Sequence, residues 1–182
     1  MQHKLIETIK RYWPNAWLHI LADYDGAVPL QSWLDANVVW RHGSTPPTAV
    51  EIEARLAEYE VAVLTESRKA AIDAVKIEAE ARITKGAVIG GNRIKCDAAS
   101  IGRLHGMVTA GGRKGAGYSR TFMTDAGVRL TLGKAQVETI FDVAEAFVAT
   151  VLDRSAAVQE QIAAMTAAEL AAFNPANDAN WP

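Results

Sequence analysis

Between Lys134 and Met165 the apolar positions are Val137, Phe141, Ala144, Val148, Val151, Val158, Ile162 and Met165, with Ser155 the one polar step in the series. The intervals alternate four and three, the seven-residue repeat of a helix that lays a seam against partner helices. Ile140, Phe147 and Leu152 widen the seam in its first half, so the early turns read as core. The later turns are narrow and rich in alanine, which predicts a projecting arm or an oligomer contact. Burying the large seam residues is worth roughly 10–20 kcal/mol gross, before the entropy of ordering the helix is subtracted. Such a pattern builds a scaffold and specifies no reaction.

A second helical run extends from Ala49 to Ile83. Ile52, Leu56, Tyr59, Val63, Ala70, Ala74, Ile77 and Ala81 keep one face, and neither proline nor glycine intervenes before Gly86. Thr48, with Glu51 three positions on, is a capping box at its start. At 1.5 Å per residue the helix would run roughly 50 Å, a connecting rod and a second coiled-coil candidate. Ahead of it, Leu5, Ile6, Ile9 and Trp13 mark a short amphipathic helix that Pro14 stops. Ala16–Ala22 alternates as a strand, Asp23-Tyr24-Asp25-Gly26 is a turn, and Val28–Leu34, carrying Trp33, is the expected return strand. Ser44-Thr45-Pro46-Pro47-Thr48 closes this module. Four of the five tryptophans fall within it, either as the core of a short module or as a face for a partner.

After Gly86, Ala87–Ile89 and Arg93–Cys96 flank Gly90-Gly91-Asn92 as a hairpin. Asp97 or Ser100 caps a helix through Ile101, Leu104, Met107 and Val108, which Gly111-Gly112 breaks, leaving Gly111–Gly117 as a flexible basic loop. Ser119–Met123 and Val128–Leu132 form a second hairpin about Asp125-Ala126-Gly127. A short helix, Ala167–Phe173, and a polar tail ending Trp181-Pro182 follow the heptad helix. The expected fold is α+β in three parts. Residues 1–45 make a small helix-plus-antiparallel-sheet module, 46–84 a long connecting helix, and 85–182 a carboxyl-terminal domain of two β-hairpins and the long heptad-patterned helix.

At 182 residues the chain suits one medium or two small globular domains. No apolar run approaches the roughly 20 residues of a membrane span, and the amino terminus lacks a signal peptide's apolar core, so the protein is expected to stay where it is made. Cys96 stands alone, which excludes an internal disulfide framework and a cysteine zinc cluster. The net charge of −2 hides an asymmetry. Lys85, Arg93, Lys95, Arg103, Arg113, Lys114 and Arg120 face only Asp97, whereas from Glu138 onward the acids face only Arg154. A chain so polarised suits head-to-tail self-association or an acidic partner.

Candidate chemistry is thin. Asp23-Tyr24-Asp25-Gly26 opens like a calcium loop but lacks the closing bidentate glutamate, so a tight turn is preferred. Gly86–Asn92 and Gly111-Gly112-Arg113-Lys114-Gly115 lack the glycine-to-lysine spacing and strand–loop–helix setting of a phosphate loop, and read as a hairpin turn and a hinge. Cys96 and His105 have the chemistry of a nucleophile and its base, yet a lone cysteine at a strand end is ordinarily packing. His3, His19 and His42 share no ligand spacing. The basic middle segment, with Tyr118 and Phe122 as stacking candidates, has no dense cationic run, so a solvated face is preferred to a nucleic-acid groove. No catalytic, metal or cofactor-binding residue is assigned, no cofactor is expected, and the protein is not expected to be an enzyme. The assigned protein interface is Val151, Val158, Ile162 and Met165 on the seam, together with Trp181.

A charged helix ending at Arg82 is followed by a hairpin with Gly90-Gly91 and Ile94, then Asp97 and a short helix. A second hairpin with Phe122, Gly127, Val128, Leu130 and Thr131 precedes the alanine-rich helix and Trp181-Pro182. This order resembles an uncharacterised domain, the DUF4376 family, found at the carboxyl end of bacteriophage and prophage tail and tail-fibre proteins. Trp13-Pro14-Asn15-Ala16, Asp23, Trp33 and Pro46-Pro47-Thr48 to Glu51-Ile52 separately resemble small phage tail and fibre-assembly proteins. Phe122 stands where the family would lead one to expect tryptophan, and the Gly111–Gly117 segment is longer than usual. The resemblance implies a tail-associated protein that binds other tail or tail-fibre proteins, either as a minor component of tail, baseplate or fibre or as a fibre-assembly chaperone. It places the protein in the virion tail or, during assembly, in the host cytoplasm, and transfers no catalytic residue. A homo-oligomer is expected, a membrane is not, and a nucleic-acid or nucleotide partner is the remotest reading.

Overall fold

The computed structural model describes residues 2–14, 17–41 and 46–181, and it divides into two compact units, Met1–Glu66 and Ser67–Pro182. Asn15-Ala16, His42, Ser44-Thr45 and Pro182, each used in reading the sequence, lie outside the described residues.

In the first unit, α1 (Gln2–Tyr12) buries Leu5 and Ile9, one helical turn apart. Strand β1 (Trp17–Ile20) pairs antiparallel with β2 (Val38–Arg41), Ile20 opposite Val38. The return strand therefore comes later than the sequence pattern indicated, and most of Val28–Leu34 belongs instead to α2 (Leu30–Asn37), entered through Pro29. Leu30, Trp33 and Leu34 are all buried. On a helix these three positions share one face, whereas on a strand Trp33 would point away from both leucines. Together with Leu5, Ile9, Val38 and Ile52 they form the core of the unit, and Trp13, Tyr24 and Trp40 pack at its edge. Trp33 thus serves as core, its ring 5.3 Å from that of Tyr24.

Helix α3 (Ala49–Lys85) contributes to both units. It starts at the expected capping box: the Glu51 carboxylate accepts from the Thr48 N–H at 2.7 Å, and the Thr48 hydroxyl accepts from the Glu51 N–H at 3.3 Å. Ile52 fills the first core. Further along, the buried stripe is Val75, Ala79 and Ile83, not the Ala70, Ile77 and Ala81 assigned from periodicity, and Ile77 is 71% exposed. Apolar residues surround this helix, with Val50 and Val61 exposed as well, so its own period does not single out one face. The packing partners of the second unit choose it.

Gly86 carries the chain from α3 into β3 (Ala87–Ile89), which pairs antiparallel with β4 (Asn92–Ile94). The two turn residues, Gly90 and Gly91, have φ of 55° and 77°, as a two-residue hairpin turn requires. Asp97 then caps α4 (Ala98–Lys114), its carboxylate accepting from the Ser100 N–H at 2.8 Å. The helix continues through Gly111-Gly112, where a break was expected, and ends at Gly115. Gly111 is a buried helical position: a Cβ there would lie 3.4 Å from the Lys134 side chain and 3.6 Å from the Tyr118 ring. Those are ordinary packing distances and the backbone there is helical, so neither collision nor chain reversal calls for a glycine, and the anticipated loop is helix followed by one 3-10 turn, Gly115–Gly117.

Strands β5 (Ser119–Met123) and β6 (Arg129–Gly133) form the second hairpin, Phe122 opposite Leu130. Gly133 leads directly into α5 (Lys134–Ala164), and α6 (Ala167–Ala172) follows behind a Thr166–Glu169 capping box. One core gathers Val75, Ala79 and Ile83 of α3, Ile94, Leu104, Tyr118, Leu132 and the inward face of α5. The architecture is α+β: a small helix-and-hairpin module, a long helix, and a carboxyl-terminal part of two hairpins and a long heptad-patterned helix.

Candidate protein interface

The heptad seam of α5 faces inward along its whole length. Val151, Val158 and Ile162 are 0%, 1% and 0% exposed and share one buried cluster with Val75, Ala79 and Ile83. Ser155 is buried among them, and its hydroxyl accepts from the Gln159 amide at 3.1 Å. Met165 is half-buried at the helix end, where its carbonyl takes Nη2–H of Arg68 at 2.7 Å and Nε–H at 3.3 Å. Trp181 is buried too. Its indole N–H donates to the Pro175 carbonyl at 2.7 Å, the Arg82 guanidinium lies 5.2 Å from its ring, and Arg154 Nε–H donates to the Asn180 carbonyl beside it.

The chain's own α3 and carboxyl-terminal segment therefore cover the residues assigned to a partner surface, and the second half of α5 is core where a projecting arm was expected. An intermolecular role for Val151, Val158, Ile162 or Trp181 would require that core to open. Leu152, assigned to the seam, lies about 100° around the helix from Val151 and is 49% exposed.

What α5 leaves to solvent is a ridge flanked by two grooves. One, of about 640 Å³, lies between α5 and the end of α3 with the first hairpin; Val88, Val143 and Phe147 give it apolar walls, and Lys85 and Arg93 make it basic. Arg82 also reaches this groove but is already occupied, its guanidinium donating to Glu78 at 2.7 Å and to Asp178 at 2.6 Å. The other groove, of about 610 Å³, lies between α5 and the start of α4. Ile101, Val148 and Leu152 line it, with the acids Asp142 and Glu145. Ala146 belongs to both grooves and so forms the crest between them. Among the described residues, Lys85, Arg93, Asp142 and Glu145 have no ion-pair partner, although Arg93 Nη1–H donates to the Gly86 carbonyl at 3.0 Å. The sequence showed these charges and apolar residues but not their grouping, because the basic groove joins α5 to the end of α3 and the first hairpin, which lie far from it in the chain.

The remaining candidates are accounted for locally. Asp25 accepts from the Ala27 N–H at 2.8 Å in a turn with Gly26 at φ 84°. Cys96 is 1% exposed, and its thiol donates to the Ile94 carbonyl; burial pushes it up from the ordinary thiol range, away from the reactive thiolate. His105 is exposed, with its ring 5.7 Å from Phe141. Tyr118 is buried and Phe122 packs on the core, so neither offers a free stacking face. Lys95 pairs with Asp125 at 2.9 Å, which takes one cation out of the basic segment. Among the described residues no three or more His, Cys, Asp or Glu side chains converge as a metal site would require.

The second unit is thus an α+β domain in which two hairpins and two helices pack on the last turns of a third, with an apolar, charge-flanked ridge on the outside. Residues 66–176 match the family described as domain of unknown function (DUF4376), which is more than half of the chain, and the protein belongs to that family. The match begins one residue before the second compact unit does. No curated protein and no solved structure matches the chain.

Proposed function

We propose that this is a tail-associated protein of a bacteriophage or prophage which works by binding other tail or tail-fibre proteins, as a minor component of tail, baseplate or fibre. The ridge of α5 carries the binding part of this reading. Val88, Val143 and Leu152 expose apolar surface within a packed unit, and apolar surface framed by charge is where proteins meet one another. The tail part is supported by the resemblance of both portions of the sequence to phage tail proteins. Mass spectrometry of purified particles should find the protein in fixed stoichiometry, cross-linked to a tail or fibre subunit. Co-purification with a fibre protein but absence from finished particles would make it an assembly chaperone. Absence from both would overturn the reading.

A further inference from the structure

We propose that the ridge of α5 is where two copies of this chain meet, related by a two-fold axis that runs along the helix. The inference rests on the protein-binding part of the reading above and names the occupant of that surface. The two grooves have opposite charge and lie on opposite sides of one crest. A two-fold axis parallel to α5 turns the basic flank of each copy onto the acidic flank of the other, with the helices parallel. An axis crossing α5 would set basic on basic. Residues 142–152 of α5 line the two grooves between them, Val143–Val151 the basic one and Asp142–Leu152 the acidic one. The flanks therefore come level with no slide along the axis.

Lys85 and Arg93 of each copy then face Asp142 and Glu145 of the other, giving partners to four charges that have none among the described residues. The same arrangement places exposed Val88, Val143 and Leu152 on the faces that meet. Ala146, at the crest, is small enough for the helices to come close. An acidic peptide would satisfy the basic groove alone and leave Leu152, Asp142 and Glu145 uncovered, whereas a second copy covers both. Charges placed in this way fix the orientation of the pair and make its formation sensitive to salt.

Sedimentation equilibrium of the full chain at low salt should give twice the chain mass, shifting toward the single chain as salt rises. Lys85→Glu and Glu145→Lys should each weaken self-association by about tenfold or more, because each sets like charges opposite one another twice per dimer. Mixing the two variants should restore a dimer, since both contacts then join opposite charges. Leu152→Glu, at an exposed position, should also be monomeric while its circular dichroism and thermal midpoint match the parent. A monomeric parent, single variants that still pair, or a mixture that stays monomeric with both variants folded would each overturn the proposal. Pairing and incorporation into particles separate cleanly: a monomer found in particles defeats the two-fold contact alone, and a dimer absent from particles and from fibre-protein complexes defeats the tail assignment alone.

Discussion

Gly86 has φ of 79°, and a Cβ built on it would overlap the carbonyl of Ile94 on the neighbouring strand. Gly91 has a nearly identical φ of 77° but open space around it. The two positions separate backbone strain from collision. Gly91→Ala should cost about 1 kcal/mol from the left-handed backbone alone. Gly86→Ala should cost at least about 3 kcal/mol, because the α3–β3 junction must shift as well. Urea unfolding of the two variants checks the order, and a larger loss at Gly91 would contradict it. Tyr118 poses the reverse case. Its hydroxyl is buried with no hydrogen-bond partner among the described residues, so Tyr118→Phe removes a desolvated group without removing a bond. The variant should be as stable as the parent or more stable, by up to about 1 kcal/mol, in the same titration.

Capping at the start of α4 can be tested through pH. The Ser100 N–H donates to the Asp97 carboxylate and is the largest influence holding it below the usual range for aspartate. A group whose folded value is depressed adds stability above its unfolded value and loses it as pH falls through the folded one. Asp97→Ala should therefore cost about 1 kcal/mol at neutral pH, as lost helix caps do. The difference between variant and parent should shrink as pH drops through and below the ordinary aspartate range, measured by thermal unfolding at a series of pH values. Capping chemistry of this kind was legible in the sequence, as were both later hairpins and the period of α5, because each is encoded by residues a few positions apart. Three features were not legible: α2, whose Leu30, Trp33 and Leu34 suit a helix only once a core exists to receive them; the unbroken α4, which runs through Gly111-Gly112 while Leu104 seats it in the core; and the buried face of α3. The burial of α5 was half legible. The seam of α5 was found, but the sequence could not say that α3 and the carboxyl-terminal segment would cover it and leave the opposite ridge bare.

The boundary of the second unit and the start of the family match fall at neighbouring residues inside α3, although the helix itself continues across both. A fragment comprising Ser67–Pro182 retains the whole core cluster of that unit, from Val75 to Trp181. It should unfold cooperatively, with a thermal midpoint close to that of the corresponding transition in the full chain; a non-cooperative melt would show that the unit depends on what precedes it. Cys96 supplies a built-in clock for the same unit. It is the only cysteine in the chain and is shut inside that core, so a chromogenic disulfide reagent finds no target on the native surface. While reclosing outpaces the reagent, the rate of colour development in native buffer should follow the equilibrium population in which this half of the protein is open. It should rise in Gly86→Ala exponentially with the stability lost, with no label attached and no second thiol to correct for.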